Sequence, residues 1–127
     1  MQIKLNSVFV DDQEKAAQFY TGVLGFVKRH DIDMGGPRWL TVYSSEAPDG
    51  AELLLEPNGN PAAHVYQKAI YDQGIPATAF ASADVHAEYA RLKALGVVLR
   101  GQPRAMGETT AVAFEDTCGN LIQLYQG

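Results

Sequence analysis

The chain repeats its own organisation, and that repetition narrows the folds open to it more than any other feature. The stretch Leu5–Asn6–Ser7–Val8–Phe9–Val10–Asp11–Asp12 leads through a helical run to Val23–Leu24–Gly25–Phe26. In the second half, Ala77–Thr78–Ala79–Phe80–Ala81–Ser82–Ala83–Asp84 leads through another to Ala94–Leu95–Gly96–Val97. Each half closes on a similar strand, Leu54–Leu55–Glu56 and then Leu121–Ile122–Gln123. A unit this long occurring only twice makes a pseudo-symmetric domain, not a solenoid. The repeat pairs Leu5 with Ala77 and Glu56 with Gln123, and paired positions are the ones to question for function.

Local signals give both halves the same element order. Ile3 to Val10 reads as a strand. Asp11 with Glu14 fits a capping box for a helix carrying Ala16, Ala17, Phe19, Tyr20, Val23 and Leu24, stopped by Gly25. Strands are expected over 26–32, 38–44 and 51–56, with turns at Met34–Pro37 and Glu46–Gly50. A helix over 62–73 joins the halves. The second half then reads as a strand over 77–82, a helix over 85–95, and strands over 97–102, 109–115 and 121–126. Gly101–Gln102–Pro103 and Thr117–Cys118–Gly119–Asn120 read as turns. The chain is therefore one α+β domain of two β-α-β-β-β modules, residues 1–60 and 74–127, joined by a helical linker, 61–73. A helix and a three-stranded meander cannot cover both faces of their own sheet. Two modules side by side would form a curved mixed sheet with helices outside and a concave face left for a ligand.

Composition excludes several classes. With 127 residues, 46% hydrophobic and 20% charged, the chain is of ordinary globular make-up. No run approaches the roughly 18 apolar residues that cross a bilayer, and the N-terminus reads directly into a strand. A net charge of -5 without a Lys/Arg cluster argues against nucleic acid. The single Cys118 forms no intrachain disulfide, so a cytoplasmic location is expected.

Val10–Asp11–Asp12, Phe19–Tyr20–Thr21–Gly22–Val23–Leu24–Gly25–Phe26, Leu92–Lys93–Ala94–Leu95–Gly96–Val97 and the closing run Phe114 to Leu124 together resemble the vicinal oxygen chelate superfamily. Its members include glyoxalase I, fosfomycin-resistance proteins, extradiol dioxygenases and bleomycin-resistance binding proteins. The resemblance spans essentially the whole chain. It implies the glyoxalase/bleomycin-resistance fold, frequent homodimers and, in the metal-dependent branches, ligands on the first and last strand of each module. Matched motif to motif, those positions hold Leu5, Glu56, Ala77 and Gln123. Transition metals want three or four imidazole, carboxylate or thiolate donors. Two apolar residues, one amide and one carboxylate are a poor set, so no metal ligands and no cofactor are expected.

Strand alternation adds the remaining candidates. Glu52, Leu54 and Glu56 share one face, Leu121, Gln123 and Tyr125 another, with Leu5, Ser7 and Phe9 opposite Ala77, Ala79 and Ala81. Only one of Arg38 and Trp39 can face the concavity, and Trp39 would serve as a stacking platform. The expected ligand-binding residues are Glu56, Gln123, Tyr125, Leu5, Ala77, Phe9 and Trp39. His30, His64 and His86 fit no metal spacing and are expected at the surface. Cys118 has no basic neighbour to lower its pKa, so it makes a poor nucleophile. The expected function is metal-independent binding of a small molecule. The alternative is a metal-dependent lyase or dioxygenase of the same superfamily. The expected partners are a small-molecule ligand and a second copy of the chain, with neither nucleic acid nor membrane.

Overall fold

The computed structural model describes residues 1–127. Two compact units divide it, Met1–Val65 and Tyr66–Gly127. The first unit contains β1 (Leu5–Val10), α1 (Gln13–Gln18), β2 (Val27–Asp33), β3 (Arg38–Tyr43) and β4 (Glu52–Pro57). Helix α2 (Pro61–Asp72) runs from the first unit into the second. The second unit continues with β5 (Thr78–Ala81), α3 (Val85–Ala94), β6 (Leu99–Met106), β7 (Thr109–Glu115) and β8 (Leu121–Gln126). Each module builds its own four-stranded mixed sheet, ordered β1-β4-β3-β2 in one and β5-β8-β7-β6 in the other. No helix is long and apolar enough to cross a membrane.

In both modules the first strand pairs in parallel with the last. Such pairing requires a crossover, and the helix after the first strand supplies part of it. In the first module Val8, Val10, Leu40, Val42 and Leu55 are buried on the side of α1 with Ala16, Ala17, Phe19 and Tyr20. The side chain of Asp12, not Asp11, caps α1 by accepting from Lys15 N at 3.1 Å. The capping residue must sit directly before the first helical turn, and Asp11 lies one position too early. Past Gln18 the helix widens into a π-type turn over Phe19–Val23, in which Leu24 N donates to Phe19 O. Gly25 then leaves in the left-handed region at φ 86°.

In the second module Ile122, Leu124, Val112 and Phe114 are buried on the side of α3 with Val85 and Leu92. The Gln126 side chain, on the same face, accepts from Val85 N at 2.8 Å. Gly101–Gln102–Pro103 does not turn the chain. These residues lie inside β6, where the register with β7 shifts between Arg100 and Arg104. A left-handed glycine and a proline without an N–H suit a bulge as well as they suit a turn.

A buried polar knot fixes the β7–β8 connection. The Asp116 carboxylate, 0% exposed, accepts from Cys118 N (2.8 Å), Asn120 N (3.0 Å) and Asn120 Nδ2 (2.8 Å). Gln67 of α2 donates from Nε2 to Cys118 O and Asn120 Oδ1. A Cβ on Gly119 would lie 2.8 Å from Gln67 Nε2, at a φ of 97° that only glycine adopts readily. Each buried donor left unpaired costs about 1–3 kcal/mol. Asp116→Ala should therefore destabilise the protein by at least about 2 kcal/mol in urea unfolding, since it strands two backbone N–H groups. A variant within about 0.5 kcal/mol of the parent would remove this knot from the account.

Candidate functional site

Strand register sorts every candidate onto a face. In the first module Asp31, Arg38 and Leu40 lie on the α1 side. Arg38 donates to Asp31 at 2.9 and 2.7 Å and approaches Glu14 of α1 at 3.8 Å. The Arg38 hydrogen bond, joined by one from Lys28, holds the Asp31 carboxyl well below the usual carboxylate range. Trp39 therefore takes the opposite side, here called the far face, with its partner Ile32. Leu5, Ser7 and Phe9 of β1 stand level with Glu52, Leu54 and Glu56 of β4 on the same far face.

The β3–β4 ladder is short, pairing only Thr41 with Leu54 and Val42 with Leu53. Beyond it the Gln13 side chain replaces strand pairing: Nε2 donates to Arg38 O and Leu55 O at 2.8 Å, and Oε1 accepts from Arg38 N at 2.9 Å. Trp39 and Glu56 thus sit where the two strands part. No hydrogen bond or ion pair within the chain engages the Glu56 carboxylate or the Trp39 indole N–H.

On the far face of the second module, Ala79 stands level with Gln123 and Ala81 with Tyr125. On the other side of β8, Ala113 flanks Gln123 and Ala111 flanks Tyr125. The rows end on β6 with Arg100 beside Ala113 and Arg104 beside Ala111. The Gln123 amide and the Tyr125 hydroxyl also have no partner within the chain. Ala77, just before β5, donates its N–H to Leu121 O at 2.8 Å and is exposed.

The two registers correct one pairing made from sequence. If Leu5 matches Ala77, then Ser7 matches Ala79 and Phe9 matches Ala81. Ser7 stands level with Leu54, but Ala79 stands level with Gln123. Gln123 is therefore the counterpart of Leu54, and Glu56 is the counterpart of Tyr125. The shift is one rung, so Glu56 keeps its face. The first-strand and last-strand positions become Leu5, Leu54, Ala77 and Gln123, which offer one neutral amide between them. The metal-dependent branches need more than that set provides. No group of three or more His, Cys, Asp and Glu side chains is placed to hold a metal ion.

Sequence reasoning missed two polar clusters. On the first far face Glu52 accepts from Thr41 Oγ1 at 2.9 Å, with His30 Nε2 at 3.8 Å and Arg29 Nε at 4.0 Å. Arg29 also lies over the Tyr43 ring at 4.0 Å. On the second, Tyr71 of α2 donates to Glu115, and Arg100 Nη2 reaches Tyr71 Oη at 3.3 Å and Glu115 Oε1 at 3.5 Å. The Glu115 hydrogen bond raises the Tyr71 phenol above its ordinary value, so the proton stays on Tyr71. A period-two count could have grouped Thr41 with Tyr43; the tie to His30 depends on a bulge in β2. Of the other singled-out residues, His64 and His86 are exposed, and Cys118 is buried.

Two sheets of this topology, each carrying one helix against one face, define the glyoxalase/bleomycin-resistance class. The chain belongs to the glyoxalase/bleomycin resistance protein/dioxygenase superfamily, whose model matches residues 2–124. It is 53% identical over 126 residues to YurT of Bacillus subtilis (strain 168), an uncharacterized protein, covering 99% of each chain. Among solved structures, UcmS2 superposes with a TM-score of 0.84 at 29% identity, covering 98% of this chain and 97% of that one. TnmS3, an antibiotic binding protein from Streptomyces sp. CB03234, superposes with a TM-score of 0.79 at 31% identity, covering 99% and 95%.

Proposed function

We propose that this protein binds a small molecule on the far faces of its sheets, without a catalytic metal. The observation that carries the reading is the set of unengaged polar groups: Glu56 and Trp39 on one face, Gln123 and Tyr125 on the other. Buried polar groups in folded proteins nearly always find partners, and half-buried ones left without a partner in the chain, as Glu56, Gln123 and Tyr125 are, stay available to a ligand. The likeness to TnmS3, described as an antibiotic binding protein, supports binding over turnover. The residues at the family's metal positions support a metal-free site. Phe9 and Leu5 would add apolar contact beside Glu56, and Ala77 would leave room beside Gln123. A protein of this kind would hold its ligand and keep it from other targets.

Glu56 and Trp39, on one face at the level where β3 and β4 part, suit a cationic aromatic group, through a charge-assisted hydrogen bond and stacking on the indole. Trp39 is the only tryptophan in the chain, so its indole N–H gives one unambiguous NMR signal. Titration with 2-naphthylmethylammonium should shift that signal saturably. Glu56→Gln should weaken the interaction about tenfold, the scale of one charge-assisted hydrogen bond. Absence of any saturable shift, or a Glu56→Gln variant that binds as well as the parent, would refute the assignment.

We also propose that the working form is a cytoplasmic homodimer. A chain with a single cysteine forms no internal disulfide, which suits a reducing compartment. Leu5, Val27, Ile32 and Trp39 are exposed apolar side chains of the first far face, and such exposure suits an interaction surface. Light scattering at micromolar concentration should return twice the chain mass; a monomer would count against the dimer alone.

A further inference from the structure

The rung that carries Glu56 in the first module has a counterpart in the second. In the first it runs Phe9, Glu56 and, where β3 and β4 part, Trp39 with Ile32. In the second it runs Ala81, Tyr125, Ala111 and Arg104. One module sets aromatic bulk and a carboxylate at this level. The other sets methyl groups, a phenol and a guanidinium. The second rung therefore lacks the negative charge of the first, and it carries one ring, Tyr125, where the first carries Phe9 and Trp39.

We infer that this rung of the second module binds a flat aromatic acid, with Arg104 as the charge that anchors its carboxylate and Tyr125 as a hydrogen-bond donor to it. The inference rests on the small-molecule reading above and names a second ligand class within it.

The bulge in β6 places the anchor. Arg100 pairs with Ala113 and Arg104 with Ala111, so four steps along β6 match two along β7. In a regular strand residues four apart are separated by about 13 Å. Here the two arginines fall on adjacent rungs of one face. Gly101, at φ 87°, and Pro103 lie inside the extra length. Bulges of this kind re-aim side chains and are frequent beside sites.

The two arginines then differ in what they meet. Arg100 is held by Glu115 and Tyr71. Arg104 is exposed and has no carboxylate partner, in a chain whose net charge is -5. In the first module Arg29, at the bulge in β2, lies against the Tyr43 ring and within 4.0 Å of Glu52; Arg100 with Glu115 repeats that arrangement in the second, and Arg104 is the arginine left over. A ligand carboxylate at this level would meet Arg104 with no carboxylate of the chain competing for it. A planar guanidinium meets a carboxylate with two parallel hydrogen bonds, which favours an acid over a neutral amide of the same shape.

Three probes of one shape separate the possibilities: 2-naphthoate, 2-naphthamide and 2-naphthylmethylammonium, each titrated into the full chain and followed by NMR. Naphthoate should shift the Tyr125 and Gln123 signals saturably, and naphthamide should bind more weakly there. Arg104→Gln should weaken naphthoate about tenfold and leave naphthamide unchanged. Ala81→Phe, which copies Phe9 of the first module at an exposed position, should block naphthoate while the thermal midpoint stays near the parent's. Naphthoate binding that ignores Arg104→Gln, or that shifts only the Trp39 signal, would overturn the inference while leaving the small-molecule reading in place. If no probe binds at either face, both fail.

Discussion

In each module the first strand is hydrogen-bonded in parallel to the last, and the sorting of side chains between the two faces follows from that ladder. With the period fixed at two, Val8, Val10 and Leu55 can only go to α1, and Ser7, Phe9 and Glu56 only away from it. The same holds for Ile122 and Leu124 against Gln123 and Tyr125. A slip of one residue would exchange the two sets and expose the core. The buried leucine, isoleucine and valine side chains therefore hold the candidate residues in register as well as holding the sheet to its helix.

The modules share a plan and differ in charge. Each has a bulged edge strand carrying arginine, and each has a polar cluster on its far face. In the first, Glu52 gathers Thr41, His30 and Arg29, leaving Glu56 as the unengaged group. In the second, Glu115 gathers Tyr71 and Arg100, leaving Tyr125, Gln123 and Arg104. The two modules share one scaffold and differ at this rung, where one carries Phe9, Glu56 and Trp39 and the other Ala81, Tyr125 and Arg104. The proposed function rests on these differences and not on the fold, since one fold can host both binding proteins and enzymes.

Much of the fold was legible because the repeat is written in residues with strong local signals. The strand after Leu5, the glycine stop at Gly25 and the turn chemistry at Met34–Pro37 all left little choice. The phase of the last strand was harder to read. Leu53, Leu54 and Leu55 form an unbroken apolar run, and Leu54–Leu55–Glu56 imitates Leu121–Ile122–Gln123 while lying one rung away. Only the pairing partners Ser7 and Ala79 reveal the difference. Gly101 to Pro103 misled for a related reason, because a turn and a wide bulge recruit the same residues. The Glu52 and Glu115 clusters join elements distant in sequence, and no local pattern announces them.

The absence of a metal requirement is the central claim, since it separates a binding protein from the lyases and dioxygenases of the same superfamily. Elemental analysis of protein purified without chelator tests it directly. The account predicts well under one equivalent of zinc, nickel, iron or manganese per chain, because Leu5, Leu54 and Ala77 offer no donor and Gln123 offers only an amide. A tightly held equivalent of any of these metals would contradict it.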